Sequence, residues 1–192
     1  MIEKLNKLYE RSSTYRDLPI DRNLYGLLCN VELLEIAYHN IKSKPGNLTS
    51  TSEKAGEGET LDGMSPQVLA VIAEKLRDES FQFRTARRAY IPKPNGEGNR
   101  PITVSPLRDK IVQEAMRMIL NAIYEPLFKE ESHGFRPQRG CHSALKYINQ
   151  KFQSSTWVIE GDISKCFDSI DHHKLIRLIE SKIRDRKFTR LI

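Results

Sequence analysis

The sequence predicts an α+β protein, and three observations carry that reading. Apolar residues recur at helical spacing near the start of the chain and again across residues 107–129. Between these stretches, RRAYIPKP and NRPITVSP are two short β-prone runs around the turn-rich NGEG, the pattern of a hairpin. Further on, TWVIEGDI (residues 156–163) is a β-prone run that ends in an acid.

Taken in order, residues 1–43 read as helical, with Leu24, Leu27, Leu28, Val31, Leu34 and Ile36 spaced for one buried stripe. SKPGNLTSTSEKAGEGET, residues 43–60, holds almost no core-forming side chains and reads as a long flexible loop. It is the best internal boundary, setting off an N-terminal helical extension over residues 1–60. A helix should begin at Ser65-Pro66, where serine can cap free amides and proline suits the first turn. Val68, Leu69, Ile72 and Leu76 supply its apolar face. In the hairpin, Pro92, Pro94 and Pro101 cannot donate ladder bonds, which puts it at a sheet edge or protruding from one.

From Leu107 to about Lys129 a helix is predicted by Ile111, Val112, Ala115, Met116, Ile119, Leu120, Ile123 and Leu127. Its basic N-terminus is a natural neighbour for phosphate. A further helix spans Cys141 to Phe152, and His173 to Lys187 returns to helix. Between them, Val158 and Ile159 can anchor a buried strand that carries Asp162 near its end. No internal repeat occurs.

With 192 residues the chain can build one core, or a core with a small lobe. No run of about 18 apolar residues is present, which excludes a transmembrane helix. The first residues mix both charge signs without an apolar block, so no secretory signal is read there; Glu3, Glu10 and Asp17 argue against a mitochondrial presequence. Cys29, Cys141 and Cys166 are odd in number and far apart, neither a disulfide framework nor a zinc pattern. Each is expected to fill a core site in a reducing compartment. Net charge is +6, and residues 84–117 hold eight basic side chains against three acids. That is the footprint of a polyanion partner, although a solvated charged face has the same composition.

The sharpest local feature is WVIEGDISKCFDSIDHHKL, residues 157–175. A carboxylate at a strand end can leave the core and meet a metal. Magnesium takes oxygen ligands, commonly one or two carboxylates with substrate phosphates, and polymerases use two such ions. An acid in that position is also an ordinary cap or turn residue. Asp168, near a strand–helix turn, and Asp171, as cap for the helix of His172–Leu178, read as structural. His172 and His173 are adjacent, point in different directions on a helix and make no metal pair.

RRAYIPKPNGEGNRPITVSPLRDKIVQEAM, then PLFKEESHGFRPQRGCHSAL, then VIEGDISKCFDSIDHHKL resemble three successive blocks of group II intron reverse transcriptases, the intron-encoded maturases. LDGMS, residues 61–65, resembles the block that precedes them in non-LTR-type enzymes. The resemblance covers Leu61 to Ile192, and runs more weakly over the N-terminal helices and KPGN, residues 44–47.

The resemblance implies part of a right-hand polymerase fold, with fingers over residues 61–154 and the start of a palm over 155–192. It implies RNA-directed DNA synthesis with intron splicing and mobility. Asp162 matches the first catalytic metal-binding aspartate, with the main-chain carbonyl of Ile163 as a further ligand and Mg2+ as the ion. Phe167 matches the aromatic gate that packs under the sugar and disfavours a 2′-hydroxyl. Lys93 and Arg100 match the residues that grip the incoming triphosphate. Arg87, Arg88, Arg108, Lys110, Arg136 and Arg139 lie in blocks that line the template track, where they would neutralise RNA phosphates. The implied partners are group II intron RNA, a DNA primer and deoxynucleotides, with no membrane. The implied location is the mitochondrion, organelle-encoded, with bacterial cytoplasm and plastid as alternatives.

The family needs two more carboxylates, adjacent in a Tyr-Ala-Asp-Asp type hairpin, and the sequence holds no such motif in the 30 residues after Asp162. With one carboxylate of three, this polypeptide is expected not to polymerise alone. A continuation or a second polypeptide would then supply the rest of the palm, and the uncovered palm edge predicts association. The alternative is a non-catalytic module that binds intron RNA. A retron or telomerase relative fits the GFRPQRG block less well.

Overall fold

The structure is a computed structural model and describes residues 1–21, 23–44, 64–94, 96, 98–164 and 166–192. Most of the 43–60 loop, most of LDGMS and two residues of the NGEG turn lie outside the described residues. In chain order the helices are α1 (Ile2–Thr14), α2 (Leu24–Leu28), α3 (Val31–Lys42), α4 (Pro66–Arg77) and α5 (Leu107–Tyr124). They continue with α6 (Cys141–Lys151), α7 (Cys166–Ser169), α8 (His172–Lys182) and α9 (Arg186–Thr189). Strands β1 (Arg87–Pro92) and β2 (Asn99–Val104) lie between α4 and α5, and pair antiparallel. The α+β class holds. The chain divides into two compact units, Met1–Leu5 with Asn23–Asn121, and Asn6–Arg22 with Ala122–Ile192.

In the first unit the predicted single stripe over residues 24–36 is two helices. Asn30 adopts extended backbone and its side chain accepts the Glu32 N–H at 2.9 Å, capping α3. Asn23 caps α2 in the same way, accepting from Gly26 at 2.6 Å. The buried set therefore shifts to Leu24, Tyr25 and Leu28 on α2, and Leu33, Leu34, Ala37 and Ile41 on α3; Leu27, Val31 and Ile36 are half-buried. Both helices pack on α4 through Leu69, Ile72, Ala73 and Leu76. The Tyr25 hydroxyl donates to the Leu76 carbonyl at 2.7 Å, so the buried phenol keeps a partner. α4 starts at Pro66 as expected, but Ser65 makes no side-chain cap bond.

The buried face of α5 is Leu107, Ile111, Val112, Ala115, Met116 and Ile119, nearly the stripe read from the sequence. Truncating one such fully buried leucine or isoleucine to alanine costs roughly 2–5 kcal/mol. The helix ends at Tyr124 rather than near Lys129, because Pro126 cannot donate and the chain tightens into a 3-10 turn, Glu125–Leu127.

In the second unit, Ser12 Oγ donates to the Ile123 carbonyl at 2.6 Å, and Arg16 donates to the carbonyls of Pro126 and Leu127 at 2.8 and 3.1 Å. Lys182 Nζ is buried and donates to the carbonyls of Arg16 and Leu18 at 2.6 and 2.8 Å, and more weakly to that of Tyr15. Ile20 forms a parallel bridge with Ile183. That bridge breaks the helix predicted over 173–187 into α8 and α9, and Asp185 restarts it by accepting the Phe188 N–H at 3.2 Å. Asp171 caps α8 as predicted, accepting from Lys174 at 3.1 Å. α6 begins where expected, with Ser143 Oγ accepting the Gly140 N–H at 2.9 Å.

Two expectations fail in this unit. Residues 156–163 form no strand, and Trp157, Val158 and Ile159 are 89%, 89% and 98% exposed. Pairing is a property of two strands, and among the described residues no other strand lies beside this run. Cys141 and Cys166 are exposed, and only Cys29 is buried.

Candidate functional site

The hairpin register fixes which basic residues share a face. Arg87 lies opposite Val104, Ala89 opposite Ile102 and Ile91 opposite Arg100; the alternate pairs are Arg88 with Thr103, Tyr90 with Pro101 and Pro92 with Asn99. Directly opposed residues and residues two apart point to the same side of a sheet. Arg87, Ile91 and Arg100 therefore share one face, and Arg88 with Tyr90 takes the other. The ladder runs one step further, since the Lys93 N–H donates to the Gly98 carbonyl at 3.0 Å. Lys93 thereby falls on the Arg100 face, as its diagonal neighbour about 7–8 Å away. Both long side chains can reach one phosphate chain from that spacing. The turn is closed by Gly96 and Gly98 at φ 73° and 80°, backbone that other residues rarely adopt.

Arg108 and Lys110 sit in the first turn of α5, both half-buried. Burial lowers the Lys110 pKa. Between them Asp109 is buried and accepts the Arg84 N–H at 2.8 Å. Burial raises its pKa, against the opposing pull of that hydrogen bond and the Arg84 charge.

The GFRPQRG block is held from inside. Arg136 Nε and Nη2 donate to Glu125 Oε1 at 3.0 and 2.8 Å, and its Nη1 donates to the carbonyls of Lys129 and Ser132 at 2.7 and 2.8 Å. Its guanidinium lies 5.3 Å from the centre of the Phe128 ring. Arg139 donates to the Glu130 carbonyl. Phe135 and Gln138 are forced to φ 56° and 57°, and Phe135 is fully exposed. Nothing in sequence separates a guanidinium that braces a loop from one that meets a phosphate, so this commitment of Arg136 was not legible.

Asp162 and Ile163 lie in the exposed extended run, and Phe167, in α7, is 81% exposed. A carboxylate and a main-chain carbonyl are hard oxygen donors of the kind Mg2+ prefers, and they would fill part of its octahedral shell. Among the described residues no group of three or more histidine, cysteine or acidic side chains is gathered for a metal. No helix among them is long and apolar enough to cross a membrane.

Comparison with known proteins bears on this arrangement. Residues 91–189 match the reverse transcriptase (RNA-dependent DNA polymerase) family. A 91 kDa protein in the cob intron of Schizosaccharomyces pombe is 50% identical over 193 residues, covering all of this chain and 23% of that protein. The group II intron-encoded protein LtrA of Lactococcus lactis is 44% identical over 88% of this chain and 28% of its own length. The putative COX1/OXI3 intron 1 protein of Saccharomyces cerevisiae is 42% identical over 90% of this chain and 20% of its own length. The chain thus spans about a quarter of the length of these relatives. Since the match takes in β2, α5, the braced loop and Asp162 alike, the chain belongs to the reverse transcriptase (RNA-dependent DNA polymerase) family, among its group II intron-encoded members.

Proposed function

We propose that the chain is the fingers and the first metal-carboxylate segment of an intron-encoded, RNA-directed DNA polymerase with a right-hand fold, which also binds its own intron RNA during splicing. The observation that carries this reading is the hairpin register, which supports placing Lys93, Arg100 and Arg87 on one face. In this proposal Lys93 and Arg100 close over the triphosphate of an incoming deoxynucleotide. A lysine supplies a point charge and an arginine a forked one, and both strengthen as water is excluded.

Arg88, Arg108, Lys110 and Arg139 would track RNA phosphates, while Arg136 serves chiefly as the brace of its loop. Asp162 and the Ile163 carbonyl would hold Mg2+, which supplies the charge that activates the primer hydroxyl and steadies the leaving oxygen. Phe167 would sit under the deoxyribose. The DNA primer and intron template belong to the same reading, as does a further segment or second polypeptide completing the palm. The yeast intron relatives support mitochondrial synthesis, and the Lactococcus relative supports the bacterial alternative.

The test is an NMR titration of the chain with a deoxynucleoside triphosphate and Mg2+. Amide signals of Ile91, Lys93, Gly98, Asn99, Arg100 and Ile102 should move together, and Lys93→Gln with Arg100→Gln should abolish the movement. Hairpin signals that stay still, or move equally in the double variant, would contradict the assignment.

A further inference from the structure

A cavity of about 200 Å³ lies in the first unit, and its lining includes no residue of β1 or β2. Its lining has two parts. Val71, Ile72 and Phe81 supply apolar surface, and Lys75, Arg84 and Arg108 supply cationic side chains, with Ser80 and Gln82 as neutral hydrogen-bonding groups. The segment that shapes it is folded back on α4. The Phe81 N–H donates to the Lys75 carbonyl at 2.9 Å, and the Ser80 N–H donates to Asp78 Oδ1 at 2.9 Å. Glu79 turns the chain at φ 60°, and the Arg84 N–H is fixed to Asp109 at 2.8 Å. Both ends of the segment 78–84 are thus pinned to helices, and the cavity is part of the fold.

We infer that this cavity receives one unpaired nucleotide of bound RNA, its base against Val71, Ile72 and Phe81 and its phosphate among Lys75, Arg84 and Arg108. At about 200 Å³ the cavity is smaller than the roughly 300–1,000 Å³ of pockets for drug-sized molecules, which suits one base with its phosphate at the charged side of the lining. The mixture of surfaces decides the class. An aromatic face accepts any base by stacking, and adjacent cations accept the phosphodiester, which is how proteins hold splayed single-stranded nucleotides. Asp109 also lines the cavity, but its carboxylate is buried and accepts the Arg84 N–H at 2.8 Å, so the three cations carry the charge that a phosphate would meet. The inference rests on the reading of the chain as an RNA binder, and adds a subsite to it.

The probes are the four nucleoside 5′-monophosphates and inorganic phosphate, titrated into the full 192-residue chain and followed by NMR. Monophosphates should shift the amides of residues 80–84 saturably, with Kd on the order of 1 mM, and inorganic phosphate should bind several-fold more weakly. Phe81→Ala should weaken monophosphate binding about fivefold or more. The exposed pair Lys75→Gln and Arg84→Gln, which leaves the Arg84 N–H in place, should weaken it similarly without disturbing the fold. Lys93→Gln should leave it unchanged. Equal binding of phosphate and monophosphates would reduce the cavity to an anion patch and overturn the inference. So would unsaturable shifts, or binding unaffected by either variant. If the hairpin still responds to a triphosphate in that event, the subsite alone has failed; if the chain binds no nucleotide and no RNA, the functional reading has failed with it.

Discussion

Arg136 reaches Glu125 through two guanidinium nitrogens that converge on one carboxylate oxygen, at 3.0 and 2.8 Å. The two side chains are only 7% and 15% exposed, so the pair lies largely out of water. Removing one member of such a pair leaves a buried charge, at a cost of about 3 kcal/mol. Arg136→Ala should lower the stability of the chain by about that much in urea unfolding, with Arg136→Lys intermediate because the fork is lost and the charge kept. An Arg136→Ala variant as stable as the parent would show that the loop does not depend on this brace.

Asp109 makes stability depend on pH in a defined sense. Its folded pKa is raised above the ordinary 3.8, chiefly by burial. The folded state therefore holds its proton when the unfolded state has released it. The associated stability is full below about 3.8 and is lost as pH rises through the folded pKa. Asp109→Asn keeps an acceptor for the Arg84 N–H without the charge. The variant should gain on the parent as pH rises through that window, and parallel stability curves would refute the assignment.

The hairpin, α5, α6 and the Asp171 cap were legible because each is written locally, in periodicity, turn residues or a cap beside its helix. What the sequence concealed depends on distant partners. The stripe through Leu24–Ile36 keeps phase across Asn30, so the break between α2 and α3 leaves no periodic trace. The Ile20–Ile183 bridge that ends α8 joins positions remote in the chain. TWVIEGDI has strand composition, but a strand exists only with a neighbour. At the candidate site, Lys93, Arg100 and Asp162 came from block resemblance, whereas the cavity near Phe81 is assembled from residues 71–109 and carries no motif.

Trp157 is the only tryptophan of the chain, and is 89% exposed beside Val158 and Ile159. Apolar side chains this exposed favour association. The chain should show solvent-type tryptophan emission when dilute, shifting to shorter wavelength as concentration rises. Ile159→Lys should suppress the shift, and sedimentation should report the same change. Emission independent of concentration, with a single monomeric species, would refute the prediction.

The most direct test of the account is RNA affinity as a function of salt. Each phosphate neutralised on single-stranded RNA contributes about −0.7 to the slope of log K against log salt. The chain should bind RNA with a slope of about −2 to −3 between 50 and 300 mM KCl, for three or four contacts. Replacing Arg88, Arg108 and Lys110 by glutamine should remove about 2 of that slope while the fold persists. Binding that ignores salt, or a slope unchanged in the triple variant, would mean that the basic residues around the hairpin and α5 do not face RNA, and the reading of this chain as the nucleic-acid-holding part of a reverse transcriptase would be contradicted.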